Sequence, residues 1–238
     1  MARQTEPKLD GILETAEVDC AGVVRLDLVD DGRLATDAAR ALPGAVSLVV
    51  LALELFFETV EHLTSKVLVG EATLRTLYEQ NAEIVDGRLN WETYRLVKHL
   101  HEAGYRGVPL PASGSVYDQR FLESVVSYRH AAEAAGLGVL GWHGLLLTPR
   151  YGPRVRLAAV ATDAPLEPTA PAAMEDPCVT CRGACVRACP AGAILTPAAG
   201  EPYTVDRHRC STYLAAVATC AECIRVCPPG RKPLESAS

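Results

Sequence analysis

The chain has 238 residues, 49% of them hydrophobic and 22% charged, with a formal charge of −6 at pH 7. That balance belongs to one large or two small folded domains and excludes a disordered, low-complexity or collagen-like chain. The longest apolar run, Ala45 to Leu53 broken by Ser47, is too short to span a bilayer, and residues 1–8 carry no apolar leader, so a cytoplasmic protein with no membrane partner is expected.

Leu9, Ile12, Leu13 and Ala16 fall at helical spacing, and Ala21 to Leu28 reads as a strand with Cys20, a small packing residue, at the joint. Thr36 reads as the N-cap of a short helix ending near Leu42, and Pro43-Gly44 as a turn. The nearly unbroken apolar run that follows predicts a central strand covered on both faces. Residues 54–104 read as largely helical, with Leu74, Leu77, Tyr78 and Asn81 on one stripe and Tyr94, Val97, Leu100 and His101 on another. Trp91 and Tyr94 read as packing residues, and His99 and His101, two apart, share no face and make no metal pair.

Val108 to Ser115 reads as an extended segment entering a loop, and helix signals resume from Arg120 to Ala135. Gly136-Leu137-Gly138-Val-Leu-Gly141 matches a dinucleotide-binding pattern in letters only. That pattern needs a strand before it and a helix after it, and the order here is the reverse. These glycines instead let the backbone pass close to another segment or to a flat ligand. Leu145 to Thr148 and Arg154 to Ala161 read as a strand pair around Tyr151-Gly152-Pro153, and the proline-rich residues up to Pro177 as a linker.

The most informative stretch is Cys178 to Pro228, which holds eight of the nine cysteines. Cys178, Cys181, Cys185 and Cys189-Pro190 form one run. Cys210 stands alone, and Cys220, Cys223 and Cys227-Pro228 form the second run. Two runs ending in Cys-Pro are what a pair of 4Fe–4S clusters requires, because each iron takes one thiolate and the cysteine before proline crosses to the other cluster. This pattern assigns Cys178, Cys181, Cys185 and Cys227 to one cluster and Cys189, Cys210, Cys220 and Cys223 to the other. Disulfides are disfavoured without a secretory leader. All-cysteine zinc sites use paired Cys-x-x-Cys units without crossing Cys-Pro ends. Arg182, Gly183 and Ala184 put three residues where the usual run has two, which Gly183 absorbs if its backbone is unusual; otherwise the first cluster is labile or three-iron. Residues 178–238 carry 7 Lys/Arg against 4 Asp/Glu, a positive setting for anionic clusters, and nothing in the acidic remainder advertises nucleic-acid binding.

Several stretches resemble the cobalamin-dependent iron–sulfur reductases, the group of epoxyqueuosine reductases and reductive dehalogenases. They are Leu42-Pro-Gly-Ala45, Val108-Pro-Leu-Pro-Ala112, Ala134-Ala-Gly-Leu-Gly138, Gly144 to Leu157, Thr162-Asp-Ala-Pro-Leu166 and Arg209-Cys210-Ser-Thr-Tyr-Leu214. The resemblance implies an α/β nitroreductase-like domain over 1–163 that holds a base-off corrinoid. A linker over 164–177 and a ferredoxin-like module with two 4Fe–4S clusters over 178–238 would follow. It implies an electron path from an external low-potential ferredoxin or flavodoxin through the outer and inner clusters to cobalt and a small organic substrate, in a protein that is often a homodimer. Three departures stand out. The helical-repeat extension that helps epoxyqueuosine reductases hold tRNA is missing, as is the export signal of respiratory dehalogenases. The position of the reductases' proton-donating aspartate falls near Leu122.

A reductase of this kind needs a proton donor. Tyr117, Asp118, Tyr128, His130 and His143 flank the glycine stretch, and His143 is the first choice, with Tyr128 and His130 next. Gly136, Leu137, Gly138 and Gly141, with Arg154 and Arg156, are the corrinoid-contact candidates. The leading expectation is an iron–sulfur oxidoreductase using a corrinoid in a closed, corrin-sized pocket. The alternatives are an electron-transfer protein or cobalamin reductase/chaperone without substrate chemistry, and a flavin held in the same domain.

Overall fold

The computed structural model describes residues 13, 16–29, 32–63, 71–112, 117–118, 122–217 and 219–231. The elements in order are β1 (Cys20–Arg25), α1 (Gly32–Ala41), β2 (Ser47–Glu54), α2 (Phe57–Glu61), α3 (Glu71–Glu102) and β3 (Gly107–Leu110). Then come β4 (Tyr117–Asp118), β5 (Glu123–Ser124), α4 (Tyr128–Ala134), β6 (Val139–Leu140), β7 (Leu146–Leu147) and β8 (Val155–Thr162). The cysteine-rich part contributes α5 (Pro177–Cys181), α6 (Ala184–Ala188), β9 (Ile194–Leu195), β10 (Thr204–Val205), α7 (Arg207–Val217) and α8 (Glu222–Arg225).

A four-stranded antiparallel sheet in the order β1-β2-β8-β3 forms the middle layer. Successive side chains of a strand face opposite ways, so a strand apolar at every position supplies two cores. In β2, Val49 and Leu51 join Leu89, Leu96 and Leu100 of α3 on one face. Leu48 and Val50 join Leu34 and Ala38 of α1 and Ala131 and Ala132 of α4 on the other. β8 divides in the same way, Ala158 and Val160 against Ala159 and Ala161. The fold is mixed α/β, with the central strand where the apolar run predicted it.

Several local expectations are corrected. Thr36 lies inside α1, its hydroxyl donating to the Gly32 carbonyl at 2.8 Å, because the helix starts earlier than the N-cap reading allowed. The helix expected from Arg120 begins only at Tyr128, since Leu122 takes a left-handed backbone (φ 52°) and 123–124 pair with 117–118 as a short ribbon. Leu146–Leu147 pairs with Val139–Leu140, not with β8, which the central sheet claims on both edges. On α3, Leu77, Trp91 and Tyr94 are 44%, 54% and 49% exposed, and the two rings stack on each other at 5.5 Å instead of entering the core. Asn81 is buried and accepts from the Phe56 N–H at 3.3 Å. Of the first predicted helix, Leu9 and Ile12 lie outside the described residues, and Leu13 packs at the edge of the α3-side core.

Residues 163–176 form no helix or strand but are tied down. The Val23 amide donates to Thr169 Oγ1 at 2.8 Å and the Ala172 amide to the Gly136 carbonyl at 2.9 Å. A methyl on Gly136 would sit 2.5 Å from the Ala170 carbonyl oxygen, so that glycine lets the segment pass. Gly138 does the same for another crossing, 2.0 Å from the Leu147 carbonyl oxygen. Both glycines accommodate the chain itself.

Candidate functional site

Short helices present the cysteines. Asp176 caps α5, its carboxylate accepting from the Cys178 amide at 2.8 Å, and Pro177 supplies the helix's first position, where no N–H is needed. Arg182 and Gly183, with φ of 52° and 71°, both take left-handed conformations between α5 and α6. That is where the extra residue of the run is taken up, and Trp142 lies against the turn, 3.0 Å from where a Gly183 methyl would stand.

The thiols fall into two neighbourhoods. Cys227 is pushed up to about 12 by burial and by the adjacent thiols of Cys178, Cys185 and Cys181. Cys223 is raised by burial and by Cys220 and Cys210 foremost, with Cys185 and Cys189 behind. Burial followed by Cys189 and Cys220 raises Cys210. Thus the last cysteine of each run stands among the cysteines of the other. Backbone amides point at sulfur: Trp142 N–H donates to Cys178 Sγ at 3.4 Å and Ala193 N–H to Cys189 Sγ at 3.3 Å. The first group is the deeper, with Cys178 and Cys227 packed on Leu147, Val139, Trp142 and Met174. Among the described residues no three Cys, His, Asp or Glu are close enough to hold one metal ion. The donor set, eight thiols in two neighbourhoods, fits two cubanes, in which each iron takes one thiolate.

Arg154 joins the layers. It is 1% exposed, and its guanidinium donates to the carbonyls of Arg225 (3.1 Å), Cys227 (3.4 Å) and Pro229 (2.9 Å). Arg156 is paired with Asp86 at 2.6 and 2.8 Å. The two arginines expected on a corrinoid are thus committed to protein partners.

The proton-donor candidates separate. Tyr128 and His130 line a cavity of about 350 Å³ between α1, α4 and the start of α7. The Tyr128 hydroxyl donates to the Pro111 carbonyl at 3.0 Å, and burial pushes it up to about 12. His130 is held at both ring nitrogens, Nδ1 2.6 Å from Ser127 Oγ and Nε2 3.0 Å from the Tyr203 hydroxyl. His143 does not line this cavity. It is 5% exposed, its Nδ1 accepts from the Leu145 amide at 3.1 Å, Nε2 meets no partner among the described residues, and burial lowers it to about 4. The side chains of Tyr117 and Asp118 lie outside the described residues.

The sequence reading missed Arg129 and Arg207, which also line the cavity. Arg129 sits between two residues that were singled out, whereas nothing local links Arg207 to them. The cavity suits a small organic molecule. Arg129 and Tyr203, with the guanidinium 4.9 Å over the ring, occupy the space beside Gly144.

No family model matches the chain. It is 32% identical over 200 residues to the tetrachloroethene reductive dehalogenase of Desulfitobacterium hafniense, covering 76% of this chain and 32% of that protein. It is 40% identical over 102 residues to the epoxyqueuosine reductase of Salmonella typhimurium, covering 42% of this chain and 24% of that one. A catabolic reductive dehalogenase in complex with 3-bromo-4-hydroxybenzoic acid shares the fold, with TM-score 0.65 and 21% identity over 91% of this chain and 30% of that one. An epoxyqueuosine reductase with a tRNA stem loop follows at TM-score 0.57 and 21% identity, over 93% of this chain and 64% of that one. The fold joins an α/β layer to a cysteine-rich module. The chain belongs to the cobalamin-dependent reductase superfamily of reductive dehalogenases and epoxyqueuosine reductases. It spans about a third of the length of the curated dehalogenases it matches.

Proposed function

We propose that this chain is an iron–sulfur oxidoreductase that passes low-potential electrons through two 4Fe–4S clusters, to a corrinoid, for reduction of a small organic substrate. Residues 1–163 are read as the nitroreductase-like domain, 164–177 as the joining segment and 178–238 as the ferredoxin-like module. What supports this reading is that Cys189 neighbours Cys210 and Cys220 while Cys227 neighbours Cys178 and Cys185. Cys178, Cys181, Cys185 and Cys227 would hold one cluster, and Cys189, Cys210, Cys220 and Cys223 the other. When bound, such clusters supply one-electron transfer at a potential set by burial and by hydrogen bonds to sulfur.

The chain's own residues support that role. Apolar packing on Leu147 keeps water from Cys178 and Cys227. Trp142 and Ala193 direct amides at sulfur, which stabilises thiolate charge. The buried Arg154 places a positive charge beside Cys227. Tyr128 and His130 line the cavity where a substrate proton would be handled.

The second reading is an electron carrier without substrate chemistry of its own, favoured by the commitment of Arg154 and Arg156, the expected corrinoid contacts, to protein partners. A tRNA substrate belongs to a structural neighbour, and nothing in this site adds to it. The test is iron, sulfide and cobalt content with the visible spectrum, on protein purified without oxygen, before and after adding hydroxocobalamin. About eight irons with stoichiometric corrinoid supports the enzyme reading; eight irons without corrinoid supports the carrier. Zinc in place of iron overturns both.

A further inference from the structure

The cavity at the seam between the α/β layer and the cysteine-rich module is unevenly charged. Arg33, Arg129 and Arg207 line it together with Asp37 and Glu123, three cations against two carboxylates. Both carboxylates are engaged by arginines other than Arg129, Asp37 also by Arg40 from outside the cavity at 3.4 Å. Arg33 lies 3.7 Å from Asp37 and 3.6 Å from Glu123, and Arg207 lies 3.2 Å from Glu123. Arg129 meets no carboxylate among the described residues. Its Nη1 donates to the Gly144 carbonyl at 2.8 Å, and its guanidinium lies over the Tyr203 ring. Burial foremost, with the charges of Arg207 and Arg33, acts against its cationic form, and Tyr203 only partly offsets this. A guanidinium carries five N–H donors, more than one carbonyl and one tyrosine consume. A partly buried cation that faces a cavity, is repelled by two neighbours and meets no carboxylate among the described residues is stabilised by an anion placed there.

We propose that this cavity binds a small organic monocarboxylate, with its carboxylate on Arg129. Among the described lining residues the excess of one positive charge matches a monoanion, and Asp37 and Glu123 would repel a phosphate dianion. A volume of about 350 Å³ takes a ligand at the small end of the usual range. The planar fork of the guanidinium pairs with a carboxylate through two parallel hydrogen bonds, which a neutral amide of the same shape cannot reproduce. Calling the anion a substrate rests on the reductase reading proposed above; its binding does not.

The experiment is titration calorimetry of the full chain, prepared without oxygen and with its metal retained, using benzoate and its neutral isostere benzamide as probes. Benzoate binds at least about tenfold tighter than benzamide, and Arg129→Gln brings benzoate down to the level of benzamide. Glu123→Gln raises the excess charge and tightens benzoate by roughly three- to tenfold, an effect opposite in sign to any damage to the fold. Equal binding of the two probes, unchanged benzoate affinity in Arg129→Gln, or no binding of millimolar benzoate to protein that keeps its metal overturns the proposal. Iron and cobalt contents, measured on the same sample, report separately on the reductase reading.

Discussion

The enclosed guanidinium of Arg154 reaches the carbonyl of Cys227 with both terminal nitrogens, each at 3.4 Å. It thereby fixes the C-terminal Cys-Pro turn, which carries a ligand candidate of the deeper thiol group, to the start of the central strand β8. The same group takes the carbonyls of Arg225 and Pro229, so one side chain holds three backbone acceptors of the module.

Arg154→Met keeps the bulk and removes the donors, leaving buried carbonyls unpaired. The expected loss is about 3–5 kcal/mol, with the C-terminal turn released first. Arg156→Met, which breaks a partly buried two-bond pair with Asp86 but leaves no backbone acceptors behind, is expected to cost less, about 2 kcal/mol. Thermal unfolding together with limited proteolysis around residues 225–231 separates the two; equal losses would refute the clamp.

Gly152 and Gly192 have nearly the same backbone, φ 55° and 56°, but different surroundings. A methyl on Gly152 would lie 2.1 Å from the Pro229 carbonyl oxygen, whereas Gly192 has nothing within 4 Å. Gly192→Ala therefore pays only for left-handed backbone, about 1–2 kcal/mol. Gly152→Ala must also separate two crossing chains, and a loss above about 4 kcal/mol is expected. Chemical denaturation of both variants makes the comparison, and similar midpoints would mean that the crossing yields easily.

His143 has its folded value lowered to about 4 from an ordinary 6.5 by burial. In that window the unfolded chain binds a proton that the folded chain refuses, so stability is present above pH 6.5 and is lost as pH falls toward 4. The full effect is roughly 3 kcal/mol at most. Wild type and His143→Gln, unfolded thermally in parallel between pH 7 and 5, share every other titrating group. The wild type should lose stability faster, and a constant gap between them would contradict this.

Cysteine-to-serine substitutions read out the exchange between the runs. Cys178→Ser and Cys227→Ser should each remove one cluster, roughly four irons, and the double variant no more. Cys189→Ser combined with Cys227→Ser should remove both. If each run held its own cluster, pairing Cys189→Ser with Cys178→Ser would instead cost only one, and iron analysis decides between the two.

Much of the molecule follows from local pattern. The apolar run 45–53 determined a strand buried on both faces because Ser47 is its one polar position, and that hydroxyl is satisfied inside by the Ala164 carbonyl. The eight cysteines, with proline after Cys189 and Cys227, determined a chemistry because thiolates at that spacing suit few metals. The glycines at 136–141 spoke only for a close approach, and the crossings of Ala170 and Leu147 against Gly136 and Gly138 came from elsewhere in the chain. Tertiary structure alone decided the cavity. Arg33, Arg129 and Arg207 lie on three separate helices, and no sequence period relates them. It also withdrew His143 into the interior and committed Arg154 and Arg156 to protein partners. A side chain's type sets what it can bind, but which partner it meets depends on the path of the chain between them.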